Sequence, residues 1–179
     1  MKLSDETRRS LGARTRLIHS GRDPSEQFGF INTPIYRGST VLYPDTESLL
    51  NRNARFSYGT AGTPTIRNLE EAWSELSGAA ATALAPSGLA AIALALFTAV
   101  AAGDHVLICD SAYRPTRNFA DGMLKKLGVE VEYYDPVIGA GIERLMRRNT
   151  SVVFLEAPGS HSFEMQDVPA IAEIAHRAG

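Results

Sequence analysis

Residues 81–109 read ATALAPSGLAAIALALFTAVAAGDHVLIC, and the order of elements in this stretch decides the fold. Ala81–Ala85 is a short apolar run with the length of a buried strand. Pro86-Ser87-Gly88 ends it, and Gly88–Ala101 follows as an uncharged helix closed by Gly103. His105–Cys109 is a second apolar run. Strand, tight turn, helix and strand in that order is the pattern of a parallel sheet with crossover helices. The same region is the one place where a membrane span has to be considered, because residues 78–103 carry no charge. A spanning helix needs roughly 20 unbroken apolar residues. The Pro86-Ser87-Gly88 break leaves two pieces, each too short.

The alternation continues on both sides. Thr63-Pro64 reads as a helix start, with Thr63 as N-cap and Pro64 in the first turn. Ile66, Leu69, Trp73 and Leu76 then recur at helical spacing up to Gly78. Downstream, Arg114–Leu127 reads as a helix closed by Gly128, and Val129–Tyr134 as a strand. Gly141–Arg148 reads as a short helix and Ser151–Leu155 as a strand. Asp167–Ala178 closes the series as a helix capped by Asp167, with Pro169 in its first turn. The strands are continuous apolar runs rather than alternations, as burial on both faces requires. The expected fold is α/β, a four-stranded, mostly parallel sheet with helices on both faces. A sheet of four strands that stops on a helix has open edges, so a truncated domain is expected. Residues 1–57 are irregular and Arg-rich and read as an N-terminal arm; residues 58–179 read as the first part of the main domain.

Composition narrows the function classes. Eighteen Lys+Arg against 20 Asp+Glu give a net charge of −2 over 179 residues. No broad positive field is available for nucleic acid or an anionic membrane, so neither is expected as a partner. The single cysteine, Cys109, makes no internal disulfide, and the four histidines stand apart from any metal-ligand spacing. The N-terminus, MKLSDETRRS, lacks the apolar core of a secretory signal, and a cytoplasmic location is expected.

In open parallel sheets ligands bind beyond the carboxyl ends of the strands. Four loops reach that edge: 86–89, 110–113, 135–136 and 156–160. Pro86-Ser87-Gly88-Leu89 places backbone N–H groups at a helix N-terminus, with a glycine that lets an anion approach the main chain. Ser87 adds a hydroxyl. The same residues also suit a plain strand–helix turn with Ser87 as N-cap. Tyr113 stands where an aromatic ring stacks on a planar ligand or packs locally. Glu156 follows an apolar strand, either as an acid beside a ligand or as a hydrogen-bonder to neighbouring loops. Tyr58, in the Gly/Thr-rich segment YGTAGTPT (58–65), is either presented outward by an ordered loop or part of a linker. A phosphate cradle beside a stacking aromatic fits flavin, nucleotide and pyridoxal phosphate alike.

Several colinear motifs carry a resemblance. YGTAGTPT (58–65), APSGLAAI (85–92), GDHVLICDSAYRPT (103–116), LGVEVEYYDPVIGAGI (127–142) and VVFLEAPGSHSFEMQDVPAI (152–171) resemble the pyridoxal-phosphate enzymes of cysteine and methionine metabolism. TRLIHSGRDP (15–24) and INTPIYRGSTVLYP (31–44) extend the likeness through the arm. Asp135-Pro136, Ile138-Gly139-Ala140, LEAPGS and DVPAI are most similar to the β-lyase branch; the γ-synthase, γ-lyase and sulfhydrylase branches are the alternatives. Outside the family, a non-catalytic phosphate- or nucleotide-binding module is the other candidate.

The resemblance implies the large cofactor domain of aspartate-aminotransferase-like enzymes and the cofactor pyridoxal 5'-phosphate. It implies a carbon–sulfur lyase acting on an amino acid, cleaving cystathionine to homocysteine, pyruvate and ammonia in methionine biosynthesis. Gly88 and Leu89 would hold the cofactor phosphate through their backbone, with Ser87 beside them. Tyr113 would stack on the pyridine ring and assist at the substrate amine. Tyr58 would reach the phosphate of a neighbouring subunit in a homo-oligomer, a dimer or tetramer. Two departures stand out. Thr60 occupies the position of an arginine that grips the same phosphate, so either Arg52 or Arg55 compensates or phosphate affinity drops. The Schiff-base lysine is missing: Lys2, Lys125 and Lys126 are the only lysines, and none stands at the family's position. The 179-residue chain is therefore expected to be inactive as a lyase by itself.

Overall fold

A computed structural model describes residues 4–179, which form two compact units divided after Leu84. In the first unit, helices α1 (Asp5–Ser10), α2 (Ala13–His19), α3 (Thr46–Asn51) and α4 (Pro64–Ser77) are joined by extended chain and two 3-10 turns. Thr63 caps α4 through its hydroxyl on the Ile66 N–H at 3.3 Å, and Gly78 ends it at φ +69°. Polar ties hold this unit. Arg8 and Arg16 bring Glu75 of α4 within 3.7 and 3.3 Å, and the Thr65 hydroxyl bridges the Tyr36 N–H and the Pro34 carbonyl. The helical stripe on α4 is present, but Leu69, Trp73 and Leu76 are each more than half exposed. Among the described residues, the buried apolar side chains all lie in the second unit.

That second unit is built on a parallel sheet of three strands, β1 (His105–Cys109), β2 (Glu130–Tyr134) and β3 (Thr150–Phe154), in the order β2-β1-β3. β1 runs through the middle with all five residues buried. His105 pairs with Glu130 and Cys109 with Tyr134 along β2. Along β3 the register shifts after His105, so that Val106 faces Val152 and Ser151 stands out as an extra residue. Helix α5 (Gly88–Ala99) packs on α6 (Arg114–Phe119) through an edge-to-face pair, Phe97 and Phe119, 5.2 Å apart. Helix α7 (Val168–Ala178) buries Ile171 and Ile174 and packs on a 3-10 segment, Gly139–Leu145, which buries Ile142. No helix among the described residues is long and apolar enough to cross a membrane.

Three expectations are corrected. Ala81–Ala85 is not a strand: it is extended chain with no ladder, and the sheet has three strands rather than four. An apolar run reports burial, but strand status needs a hydrogen-bonded neighbour. The helix expected over Arg114–Leu127 is regular only to Phe119. It continues as a π turn over Ala120–Leu124, where the Lys125 N–H reaches back five residues to the Ala120 carbonyl. The helix expected over Gly141–Arg148 is the 3-10 segment that starts at Gly139 and ends at Leu145.

His105, at the amino end of β1, is fully buried. Its Nδ1 lies 2.8 Å from the Thr150 hydroxyl and its Nε2 3.4 Å from the Glu132 carboxylate. Arg147 engages both Glu130, at 2.8 Å, and Glu132. Burial first, and then the Arg147 charge, hold the imidazole below its ordinary value of 6.5, against the pull of Glu132 and Glu130. The unfolded chain therefore takes up this proton first as the pH falls. Stability from the neutral ring is complete above about pH 6.5 and is lost as the pH drops through 6.5 toward the folded value. Thermal unfolding from pH 7.5 to about 5 is expected to show a falling Tm whose slope lessens in His105→Gln. Equal slopes in both proteins would refute the role of this ring.

Candidate functional site

The turn before α5 folds as its residues dictate. Ser87 is the N-cap, its hydroxyl accepting the Ala90 N–H at 3.2 Å, while its carbonyl takes the Ala91 N–H at 3.0 Å. The first-turn N–H groups of Gly88 and Leu89 precede the helical ladder and meet no protein acceptor among the described residues. Ser87, Gly88 and Leu89 are exposed. A Cβ added at Gly88 would meet nothing within 4 Å. The helix dipole adds partial positive charge here, and α5 has no acidic residue in its first turn to offset it. A small anionic group with negative oxygens suits this face.

Tyr113 follows the carboxyl end of β1 and is the N-cap residue of α6, with its side chain about half exposed. Its backbone N–H donates to the Glu156 carboxylate at 3.1 Å. The short α5–β1 connection puts the C-terminus of α5 at the amino edge of the sheet. The Phe97–Phe119 contact joins α5 and α6 near their C-terminal ends. Both N-termini consequently lie toward the carboxyl edge of β1.

The loop after β3 is stitched to the loop after β1. The Ser160 N–H donates to the Ser111 carbonyl at 2.8 Å. Gly159 is buried so tightly that an added Cβ would lie 2.5 Å from the Ser111 hydroxyl oxygen. Buried Gln166 donates through Nε2 to the Glu156 carbonyl at 2.9 Å and accepts at Oε1 the Tyr134 hydroxyl at 2.7 Å. Burial holds the Tyr134 phenol far above its usual range. It pushes the neighbouring Cys109 thiol up as well, so this cysteine is no nucleophile at neutral pH. Tyr133, covered by the Arg117 guanidinium 4.4 Å from its ring centre, is pushed up to about 12 by burial and by Asp121.

Of the residues singled out from sequence, Ser87, Gly88, Leu89, Tyr113 and Glu156 belong to the second unit and Tyr58 to the first. Tyr58 is about half exposed and bridges Thr40 in antiparallel fashion. Gly59 beside it allows a close approach to the Gly38 carbonyl that no Cβ would permit. Arg55 is occupied by an ion pair with Glu26, while Arg52 is exposed. Lys125 pairs with Asp121 at 2.6 Å and Lys126 is exposed; Lys2 lies outside the described residues. No cluster of three or more His, Cys, Asp or Glu suited to a metal occurs among the described residues. Gln166 and Tyr134 were not visible as site residues in the sequence. A glutamine shows no sign of burial by its type, and the tyrosine carried only a strand signal.

Comparison with known proteins gives consistent matches. The family described as Cys/Met metabolism PLP-dependent enzyme matches residues 14–179. A Rhizobium johnstonii protein provisionally named a cystathionine beta-lyase is 55% identical over 179 residues, all of this chain and 45% of that one. Cystathionine beta-lyase MetC of Escherichia coli is 40% identical over 162 residues, 88% of this chain and 41% of its own. Among solved structures, metB from Corynebacterium glutamicum superposes with a TM-score of 0.86 at 28% identity, over 95% of this chain and 43% of that one. Cystathionine gamma-lyase from Lactobacillus plantarum, solved with L-serine, gives 0.83 at 26% identity, over 94% and 42%. The chain thus spans less than half the length of these relatives.

The two loop glycines make opposite predictions for the fold. Gly159→Ala forces the Ser111 contact apart and is expected to cost about 2 kcal/mol. Gly88→Ala meets open space and is expected to change stability by no more than about 0.5 kcal/mol. Urea unfolding of both variants measures the difference, and equal costs would contradict the packing of Gly159 against Ser111.

Proposed function

The chain belongs to the Cys/Met metabolism PLP-dependent enzyme family, and from that premise we propose that it forms the cofactor-holding part of a cystathionine β-lyase. The observation that carries this reading is the open N-terminus of α5. Two N–H groups without protein acceptors and a glycine facing empty space suit a phosphate. In this proposal Gly88 and Leu89 hold the phosphate through their main chain. The Ser87 O–H remains able to donate, since its oxygen is the acceptor in the cap. Tyr113 presents its half-exposed ring as the stacking face. Tyr58 of a second copy completes the phosphate contacts, so that the site belongs to a homo-oligomer.

Bound there, pyridoxal 5'-phosphate supplies an electron sink for breaking bonds at the Cα and Cβ of an amino acid. The chain's own residues bind and orient; among the described residues no free lysine stands beside this site to carry the proton. Lys125 is engaged with Asp121, and Lys126 is exposed on the same turn. The proposed overall reaction takes cystathionine to homocysteine, pyruvate and ammonia. The 179-residue chain by itself is expected to show no turnover. The likeness to a cystathionine gamma-lyase supports a second reading, cleavage at Cγ.

Product analysis decides between them. The full-length protein carrying this sequence is expected to release pyruvate from cystathionine; release of 2-oxobutyrate instead would establish the γ reading. Sustained pyruvate release by the 179-residue chain alone would overturn the division of labour proposed here. In cofactor titrations Gly88→Val is expected to weaken pyridoxal 5'-phosphate binding by about tenfold or more with little change in Tm. Unchanged affinity would place the phosphate elsewhere.

A further inference from the structure

Tyr113 stands at a point where the main chain changes from strand exit to helix. As the N-cap residue of α6 it has φ −47° and ψ 129°, and its own N–H lies outside the helical ladder. One acceptor satisfies that N–H, the Glu156 carboxylate at 3.1 Å, from a loop 43 residues away. Glu156 is itself fixed. Its carbonyl receives the Gln166 amide at 2.9 Å, and Gln166 is buried and held by the Tyr134 hydroxyl at 2.7 Å. A second tie between the same loops, Ser160 to Ser111 at 2.8 Å, prevents them from sliding. The direction in which a side chain leaves the backbone follows from the dihedrals at its Cα. A bond that sets the peptide plane before Tyr113 therefore sets where its ring points.

We propose that Glu156 is a positioning residue for Tyr113: its carboxylate, anchored through Gln166 and Tyr134, aims the Tyr113 ring at the planar cofactor. This rests on the reading that Tyr113 stacks on pyridoxal 5'-phosphate. In this proposal Glu156 acts through the Tyr113 main chain, the contact its carboxylate makes. It accepts a hydrogen bond and transfers no proton, so an amide serves nearly as well as a carboxylate. The bond is exposed to solvent, where water screens the carboxylate's charge and leaves it little advantage over a neutral acceptor.

The test is a double-mutant cycle read by titrating pyridoxal 5'-phosphate into the full chain, with the induced circular dichroism of the bound ligand recorded alongside. Glu156→Ala is expected to weaken binding about tenfold and to reduce the induced signal. Glu156→Gln is expected to stay within about twofold of the parent, because its amide oxygen still accepts the Tyr113 N–H. In a Tyr113→Ala background, Glu156→Ala should have no further effect. Should Glu156→Ala not fold, Gln166→Glu carries the same cycle. It keeps the acceptor for Tyr134 and removes the donor that fixes the Glu156 carbonyl. Equal losses in both backgrounds, or a silent Glu156→Ala beside a sensitive Tyr113→Ala, would overturn the proposal and leave the stacking reading intact. A Tyr113→Ala protein that binds as tightly as the parent would instead remove the stacking reading, and this proposal with it.

Discussion

β1 has no solvent side. His105, Val106, Leu107, Ile108 and Cys109 are all buried, and both backbone edges are bonded to parallel neighbours. A strand in that position requires cover on both faces and crossovers that return each next strand to the same amino edge. Every loop that leaves a strand then emerges at the opposite edge. The loops after β1, β2 and β3 meet there because of this topology. Their polar main-chain groups, released from the sheet, find partners in one another: Tyr113 with Glu156, and Ser160 with Ser111. The candidate site is thus a consequence of how a two-sided strand is accommodated.

Much of this was readable from local chemistry. Thr63, Ser87 and Asp167 each cap the helix they were expected to cap, because the cap depends on one side chain and an N–H three residues on. β1 has the expected bounds, since five consecutive apolar or buried-type residues between Asp104 and Asp110 leave little choice. What failed depended on a partner, although the strands expected at 129–134 and 151–155 stand within a residue of their observed bounds. Ala81–Ala85 has the composition of a strand without a pairing neighbour. Ser151, the residue that shifts the β3 register, has nothing in its own identity to mark it. The π turn after Phe119 adds one residue to a helical turn, which a 3.6-residue pattern cannot distinguish over so short a span.

The site divides in the same way. The Ser87 cap and the open space at Gly88 were legible because a helix start is a property of three adjacent residues. Glu156 stood open between an acid beside a ligand and a hydrogen-bonder to another loop. Its partner is the Tyr113 N–H, far away in sequence, and the structure gives it the second role. Gln166 was invisible because its two amide bonds join residues on three different segments. Tyr58 remains on the first unit, where its setting is fixed by the close approach of Gly59 to Gly38.

Helix α5 carries no charged side chain from Gly88 to Ala99. An anion at its N-terminus would meet peptide dipoles and the Ser87 hydroxyl, and no charged side chain of this helix. Such a grip has no ionisable side chain, so its change with pH would follow the ligand's own phosphate, whose second ionisation falls at about pH 6. Beyond the Ser87 hydroxyl, this end of the helix has no polar side chain to lose. Drift in sequence along α5 can alter its packing residue by residue while the binding element stays intact, as long as position 88 remains small. The most durable part of this molecule is accordingly the part least written in side chains: a bare stretch of backbone whose chemistry every substitution but a few leaves in place.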